Sequence, residues 1–291
     1  MKMVKRALAA GAALTTVLAS SPAFAGWGDL NLRVGATPLS REIYGLHMLV
    51  LWICVAIAVA VFSVMIYSIA TFRRSKGAVP ASFDHSTTAE IIWTVIPVGI
   101  LVFMAIPAAR TLVRIDDTRG SDMTIRATGY QWKWQYEYVD QGISFFSTLA
   151  QASNEARQLH SNIDPKTVDN YLLDVDNPLV VPAGKKIRML ITSADVIHSW
   201  WLPDFAIKKD AIPGYINEMW FEVDKPGTYR GQCVELCGRD HGFMPIVVVV
   251  LEPSKYDAWV AQQKTAREAA VAADARVAQL NETTLRVANA E

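Results

Sequence analysis

The chain has 291 residues, 52% of them hydrophobic, with Lys+Arg and Asp+Glu balanced at 28 each. No basic stripe or nucleic-acid motif is present, so a nucleic-acid partner is excluded. That length and apolar content fit one or two domains together with membrane segments.

Lys2, Lys5 and Arg6 precede the apolar run Ala7–Leu18 and the small-x-small triplet Ala23-Phe24-Ala25. This is the pattern of a cleaved export signal over residues 1–25, with a mature chain starting at Gly26. An apolar run of about twelve residues is too short to span a bilayer, which argues against a retained anchor. Cleavage removes three positive charges and leaves a slightly acidic chain.

Residues 26–114 read as an N-terminal segment followed by a transmembrane hairpin, with spans at about 46–72 and 91–109. Neither Leu46–Phe72 nor Ile91–Ala109 contains Asp, Glu, Lys or Arg, and each is long enough to cross a hydrocarbon core of ~30 Å. Pro97 and Pro107 are tolerable there as kinks. Arg73, Arg74 and Lys76 put the connecting loop on the cytoplasmic side. Arg110 and Arg114 weaken that bias, but the export signal places both ends of the hairpin outside. Glu90, just ahead of the second span, reads as a helix N-terminal charge favoured by the macrodipole.

From Asp122 the period changes to two: Met123, Ile125 and Ala127 alternate with Thr124, Arg126 and Thr128, a half-buried strand. The next alternation puts Trp132, Trp134, Tyr136 and Tyr138 on one face. Further strand-like runs are Lys186–Thr192, Glu218–Val223, Thr228–Gln232 and Pro245–Leu251, separated by Gly and Pro turns. Residues 115–253 are therefore expected to form a β-sandwich or barrel. Phe146–Asn170 reads as polar and irregular. Residues 254–291 read as a helical tail on the surface, frayed at its end, and carry no recognisable chemistry. Cys54 falls in a span and reads as an apolar filler.

The chemistry is concentrated in Cys233-Val-Glu235-Leu-Cys237-Gly-Arg-Asp-His241-Gly-Phe-Met244, with His198 upstream in His-Ser-Trp-Trp-Leu-Pro203. Thiol, imidazole and thioether donors suit copper far better than magnesium or calcium. A mononuclear blue-copper site takes one Cys, two His and a weak Met, and this loop has one thiol more. Two cysteines four apart can instead bridge two copper ions, with one His on each and with Met244 and the Glu235 carbonyl as weak outer ligands. A disulfide is the simpler reading of the cysteines alone; a zinc site could also use Cys2His2, but the spacing is not that of a finger or ribbon. A hydrogen-bonded core histidine and ordinary packing are those of His198 and Met244 taken singly.

These motifs, with Lys209-Asp-Ala-Ile-Pro-Gly214, resemble subunit II of the haem–copper cytochrome c oxidases over about residues 41–259. The resemblance implies a two-helix transmembrane hairpin plus an all-β cupredoxin-like Greek-key domain in the periplasm of a bacterial inner membrane. It implies a dinuclear copper (CuA) centre on His198, Cys233, Glu235 through its main-chain oxygen, Cys237, His241 and Met244. It also implies that Trp132 is the exposed residue where electrons arrive. Glu137, Asp140 and Asp195 could supply acidic charge that steers a basic cytochrome, with solvated surface the simpler reading of each. Glu90 would stand at the mouth of a proton path, and the Glu235 carboxylate would bind a magnesium ion shared with subunit I.

The implied partners are the haem-bearing subunit I, subunit III, the membrane and a separate cytochrome c. No Cys-x-x-Cys-His motif in the chain would carry a haem of its own. The implied activity is transfer of electrons from cytochrome c to haem in subunit I, which reduces oxygen to water and pumps protons. Phe146–Asn170 is longer than the corresponding loop of typical relatives. Tyr215 and Val234 depart from the family's usual Arg and Ser, at positions that are not proposed ligands. A membrane-tethered copper-delivery or thiol-redox protein, with Cys233 and Cys237 as a dithiol, is the rival reading. It leaves Trp132, Glu90 and the two histidines without a role.

Overall fold

The structure is a computed structural model and describes residues 30–80 and 82–288. The export signal expected over 1–25 lies outside the described residues.

Helix α1 runs Pro38–Thr71 and helix α2 runs Thr87–Asp116, joined through a 3-10 turn at Arg74–Lys76. Thr37 starts α1 with a reciprocal cap: its hydroxyl accepts from the Ser40 amide at 2.9 Å, and Ser40 Oγ accepts from the Thr37 amide at 3.0 Å. Two otherwise orphaned amides are thereby satisfied, and Pro38 at the first helical position has none to satisfy. Both helices are long and apolar enough to cross a membrane. Of all their side chains only Leu39, Ser40 and Thr111 are buried. So large an apolar surface suits lipid or partner helices, not water.

The end of the hairpin next to the β-domain is tied to it by main-chain and side-chain bonds. Ala36 N donates to Asp204 O at 2.6 Å, and Thr37 Oγ1 donates to Phe205 O at 3.2 Å. Trp220 Nε1 donates to Arg114 O at 3.0 Å. Across the hairpin, Glu42 accepts from Thr111 Oγ1 at 2.7 Å and from Arg114 Nη1 at 2.6 Å.

Ten strands follow: β1 Met123–Tyr130, β2 Lys133–Tyr138, β3 Ile143–Ser147, β4 Leu179–Pro182, β5 Lys186–Ser193, β6 His198–Leu202, β7 Ile207–Ala211, β8 Asn217–Glu222, β9 Gly227–Cys233 and β10 Pro245–Leu251. They form two five-stranded sheets, in the orders β3-β2-β1-β5-β8 and β4-β10-β9-β6-β7. The β1–β5 and β4–β10 pairs are parallel and the rest antiparallel. The alternation of β1, β2 and β5 sends Ile125, Ala127, Trp134, Tyr136, Met189 and Ile191 into one core, each with no exposed surface. The result is the two-helix hairpin and β-sandwich expected.

Three local expectations change. Trp132 is not in register with Trp134 and Tyr136, because the chain turns at Gln131-Trp132 before β2 begins. The segment Phe146–Asn170 is less irregular than read: it holds the end of β3 and a short helix α3, Gln151–Ala156. The tail forms helix α4, Pro253–Ala288, and its first turns are not a free surface. Tyr256 is buried, and Trp259 packs against Tyr138 with ring centroids 5.4 Å apart.

Candidate metal centre

Strands β9 and β10 are antiparallel neighbours, with Pro245 opposite Gln232, so the loop between them must fold back on itself. Its base closes through Cys233 N donating to Met244 O at 3.4 Å. Strand β6 lies on the other side of β9, with Trp200 opposite Cys233. That register carries His198, the first residue of β6, to the same end of the sheet. The separation of 35 residues in sequence is thus closed by strand pairing alone.

All six expected donors meet there. Cys233 Sγ lies 3.9 Å from Cys237 Sγ, 4.0 Å from His198 Nδ1 and 3.4 Å from the Glu235 carbonyl oxygen. Cys237 Sγ lies 3.4 Å from His241 Nδ1 and 3.6 Å from Met244 Sδ. His198, both cysteines and Met244 are buried, and His241 is half-buried. The Glu235 carboxylate, by contrast, points to the exposed surface.

The chemistry of this donor set fits a soft metal. Both thiols are free, and their sulfurs are closer together than two ~2.3 Å metal–thiolate bonds laid end to end, so one ion can touch both. Burial, and next the neighbouring Cys233, push the Cys237 thiol up to about 12. Two thiolates this close and this dry need a cation to hold them ionised.

The outer contacts aim the ligands. His198 Nε2 sits 2.9 Å from Asp195 Oδ1, which leaves Nδ1 as the nitrogen facing Cys233. A carboxylate on the far nitrogen is the usual way a metal-binding imidazole is oriented. Burial alone would raise the Asp195 pKa. Hydrogen bonds from His198 and from the Gln131 and Val196 amides outweigh it and hold the carboxyl below its ordinary value. Gly129 makes room for the ring: a Cβ there would lie 2.7 Å from His198 Cδ2.

Trp132 is half-buried, and its Nε1 donates to the Cys237 carbonyl at 3.2 Å; Gln131 Nε2 donates to the same oxygen at 2.8 Å. The indole therefore reaches from the surface to the main chain of a cysteine in the cluster. Glu90 is not brought to this site. It is exposed in the first turn of α2, and 24 residues of helix at 1.5 Å each put it roughly 36 Å from Arg114.

From the sequence, Asp195 is expected only as a steering charge. Its i,i+3 spacing from His198 was the available signal for the orienting contact. Gly129 and Gln131 gave no such signal, because each meets its partner across about 70 to 106 residues.

Comparison with known proteins agrees with this architecture. A family model described as the periplasmic domain of cytochrome c oxidase subunit II matches residues 123–251, and one for its transmembrane domain matches 25–110. A probable cytochrome c oxidase subunit 2 of Rickettsia bellii is 41% identical over 236 residues, covering 81% of this chain and 84% of that protein. The cytochrome c oxidase subunit 2 of Cereibacter sphaeroides is 35% identical over 245 residues, covering 81% of each. The crystal structure of the periplasmic domain of subunit II from Bradyrhizobium japonicum is 44% identical, with a TM-score of 0.45, and covers 51% of this chain and 97% of that one. With both halves of the chain matched and a relative this similar along most of its length, the chain belongs to the cytochrome c oxidase subunit II family.

Proposed function

We infer that the chain takes electrons one at a time from a cytochrome c into a dinuclear copper centre and hands them to haem in subunit I of a bacterial oxidase. The carrying observation is the convergence of two thiols, two imidazole Nδ1 atoms, a thioether and a carbonyl in one buried cluster. A pair of copper ions held by this soft donor set would supply a one-electron carrier.

The chain's own residues provide the rest. Cys233 and Cys237 would hold the metal as thiolates, each giving up its thiol proton. His198 and His241 each offer Nδ1. The Met244 thioether and the Glu235 carbonyl would be the weaker donors, whose identity tunes the potential. Asp195 keeps the His198 ring from turning, and burial keeps water from the sulfurs.

Trp132 is the point where electrons arrive, through an indole hydrogen-bonded to the Cys237 carbonyl. Glu137, Asp140 and Asp195 supply negative charge that steers a basic donor. The exposed Glu235 carboxylate is free to bind a magnesium ion shared with subunit I, which suits a hard cation that rarely has an all-protein cage. Glu90 opens a proton path at the far end of α2. Subunit I reduces oxygen to water and couples that to proton pumping, subunit III completes the assembly, and the β-domain faces the periplasm.

The test is metal content and electron-spin resonance on the full chain in detergent. Two coppers per chain with a delocalised mixed-valence signal are expected, and Cys233→Ser or Cys237→Ser should abolish the signal. Retention of that signal in either variant, or a single Cu(I) per chain, refutes the assignment.

A further inference from the structure

The segment between β3 and β4 has no part in the scheme above. Its base is closed by a bridge between Leu149 and Val175, and by Asp176, which accepts from Thr148 N at 2.7 Å and Thr148 Oγ1 at 2.8 Å. Within it Ser153 and Ala156 of α3 are buried, and Ser153 Oγ accepts from Leu172 N at 3.1 Å. The segment is thus a braced structure and not a slack loop. What it presents to the metal centre is Arg157.

Arg157 caps α3, and its Nε donates to Asn154 Oδ1 at 2.8 Å, which fixes the plane of the guanidinium. From there it reaches two residues of the copper loop. Its Nη1 lies 3.5 Å from Asp240 Oδ1, and its Cζ lies 4.2 Å from the centre of the Phe243 ring. Asp240 and Phe243 flank His241: Asp240 caps the 3-10 turn His241–Phe243, and Phe243 N donates to Asp240 O at 2.9 Å. The side chains of Arg157 and Asp240 are only 22% and 16% exposed, so this pair is screened less than a surface one. Arg157, Asp240, Phe243 and Trp132 all line a cavity of about 210 Å3 beside the turn.

We propose that Arg157 is a positioning residue for His241: by holding Asp240 and Phe243 from outside, it clamps the turn that aims His241 Nδ1 at Cys237. His198 and His241 are then held by different means. A carboxylate on its own ring orients His198, whereas among the described residues no side chain is seen on the second ring nitrogen of His241. Its orientation falls to the turn, whose Asp240 is held by Arg157 from a distant segment as well as by its neighbour Arg239, which is 3.5 Å from Asp240 Oδ2 but 83% exposed. Arg is suited to this because one planar group can pair with a carboxylate and lie on an aromatic face together.

The proposal rests on the copper reading, so its test has an arm without metal. In the copper-free full chain in detergent, amide hydrogen exchange at 240–244 should quicken about tenfold or more in Arg157→Gln, the factor that ~1.4 kcal/mol of lost clamping produces. Exchange in β1 and β5 should not change. Arg157→Lys, which keeps the charge and the contact with the ring, should restore part of the protection. In the copper-loaded chain, the electron-spin-resonance couplings from His241 should change in Arg157→Gln while those from His198 do not. Equal exchange in the variant and the wild type, or acceleration spread over β1 and β5 as well, overturns the clamp. A wild-type chain that binds no copper but shows the expected exchange pattern sinks the copper reading alone and leaves the clamp on the turn standing.

Discussion

Gly129 has no side chain because the His198 ring fills the space a Cβ would need. Gly129→Ala must therefore push the imidazole off its line to Cys233, at an overpacking cost of ~1–3 kcal/mol. Copper uptake should fall while the circular dichroism of the β-domain is kept, and a melting curve beside a copper titration checks both. Trp132 calls for a subtler change than truncation, since its indole N–H binds the Cys237 carbonyl. Trp132→Phe keeps an aromatic side chain, though a smaller one, and removes one hydrogen bond worth ~0.5–1.5 kcal/mol. Copper content should survive, and reduction by cytochrome c should slow while a small reductant still works; equal slowing with both reductants removes Trp132 from the route. At this scale the sequence spoke clearly wherever the partners are neighbours in the chain. Five of the six donors lie within twelve residues, and the sixth stands in a recognisable motif. The contacts that aim them, from Gly129, Gln131 and Arg157, come from far away in sequence and had no local pattern to betray them.

Among the elements, β4 pairs with β10 on one side and leans on a single side chain of β2 on the other. Tyr138 OH donates to Val180 O at 2.7 Å and accepts from Val180 N at 2.9 Å, so one phenol stands in for a missing strand. Burial raises the Tyr138 pKa well above the usual tyrosine value, which keeps the hydroxyl neutral and able to donate. Tyr138→Phe leaves a buried amide and carbonyl without that partner and should cost about 1–3 kcal/mol. Denaturant unfolding at constant slope measures it, and an unchanged midpoint would show that water or Val180's neighbours replace the phenol. The same strand shows why some elements escaped the reading. Leu179–Pro182 is four residues long and buried on both faces, so it has no alternation to find. Likewise β6 is buried at four of its five positions. Strands β5, β8, β9 and β10 were read to within about a residue because they are longer and bounded by turns. The aromatic run of β2 misled at Trp132 because period two takes no account of a turn that falls in phase.

At the scale of the molecule, the hairpin's outward apolar surface includes an open cleft of about 840 Å3 between the helices, lined by residues such as Ile53, Cys54, Ile57 and Trp93. Cys54 is thus an apolar lining residue, remote from the paired cysteines of the β-domain. Glu90 lies at the opposite end of α2 from that domain, so its effect should appear only in the assembled oxidase. Glu90→Gln is expected to slow oxygen turnover while leaving copper reduction by cytochrome c unchanged; turnover unaltered across pH would make Glu90 merely a helix-end charge worth ~0.3–1 kcal/mol.

The two parallel pairings carry a consequence in time. Ile125 of β1 pairs with Met189 of β5, and Leu179 of β4 pairs with Val248 of β10, so each early strand waits for a partner made more than sixty residues later. At a synthesis rate of ~5–20 residues per second, that wait lasts several seconds, and pairings so distant fold slowly in any case. The last strand to arrive, β10, is also the one that closes the loop bearing both cysteines. Metal delivery must therefore wait for β10, and until then the thiols are open to oxidation by whatever compartment receives them.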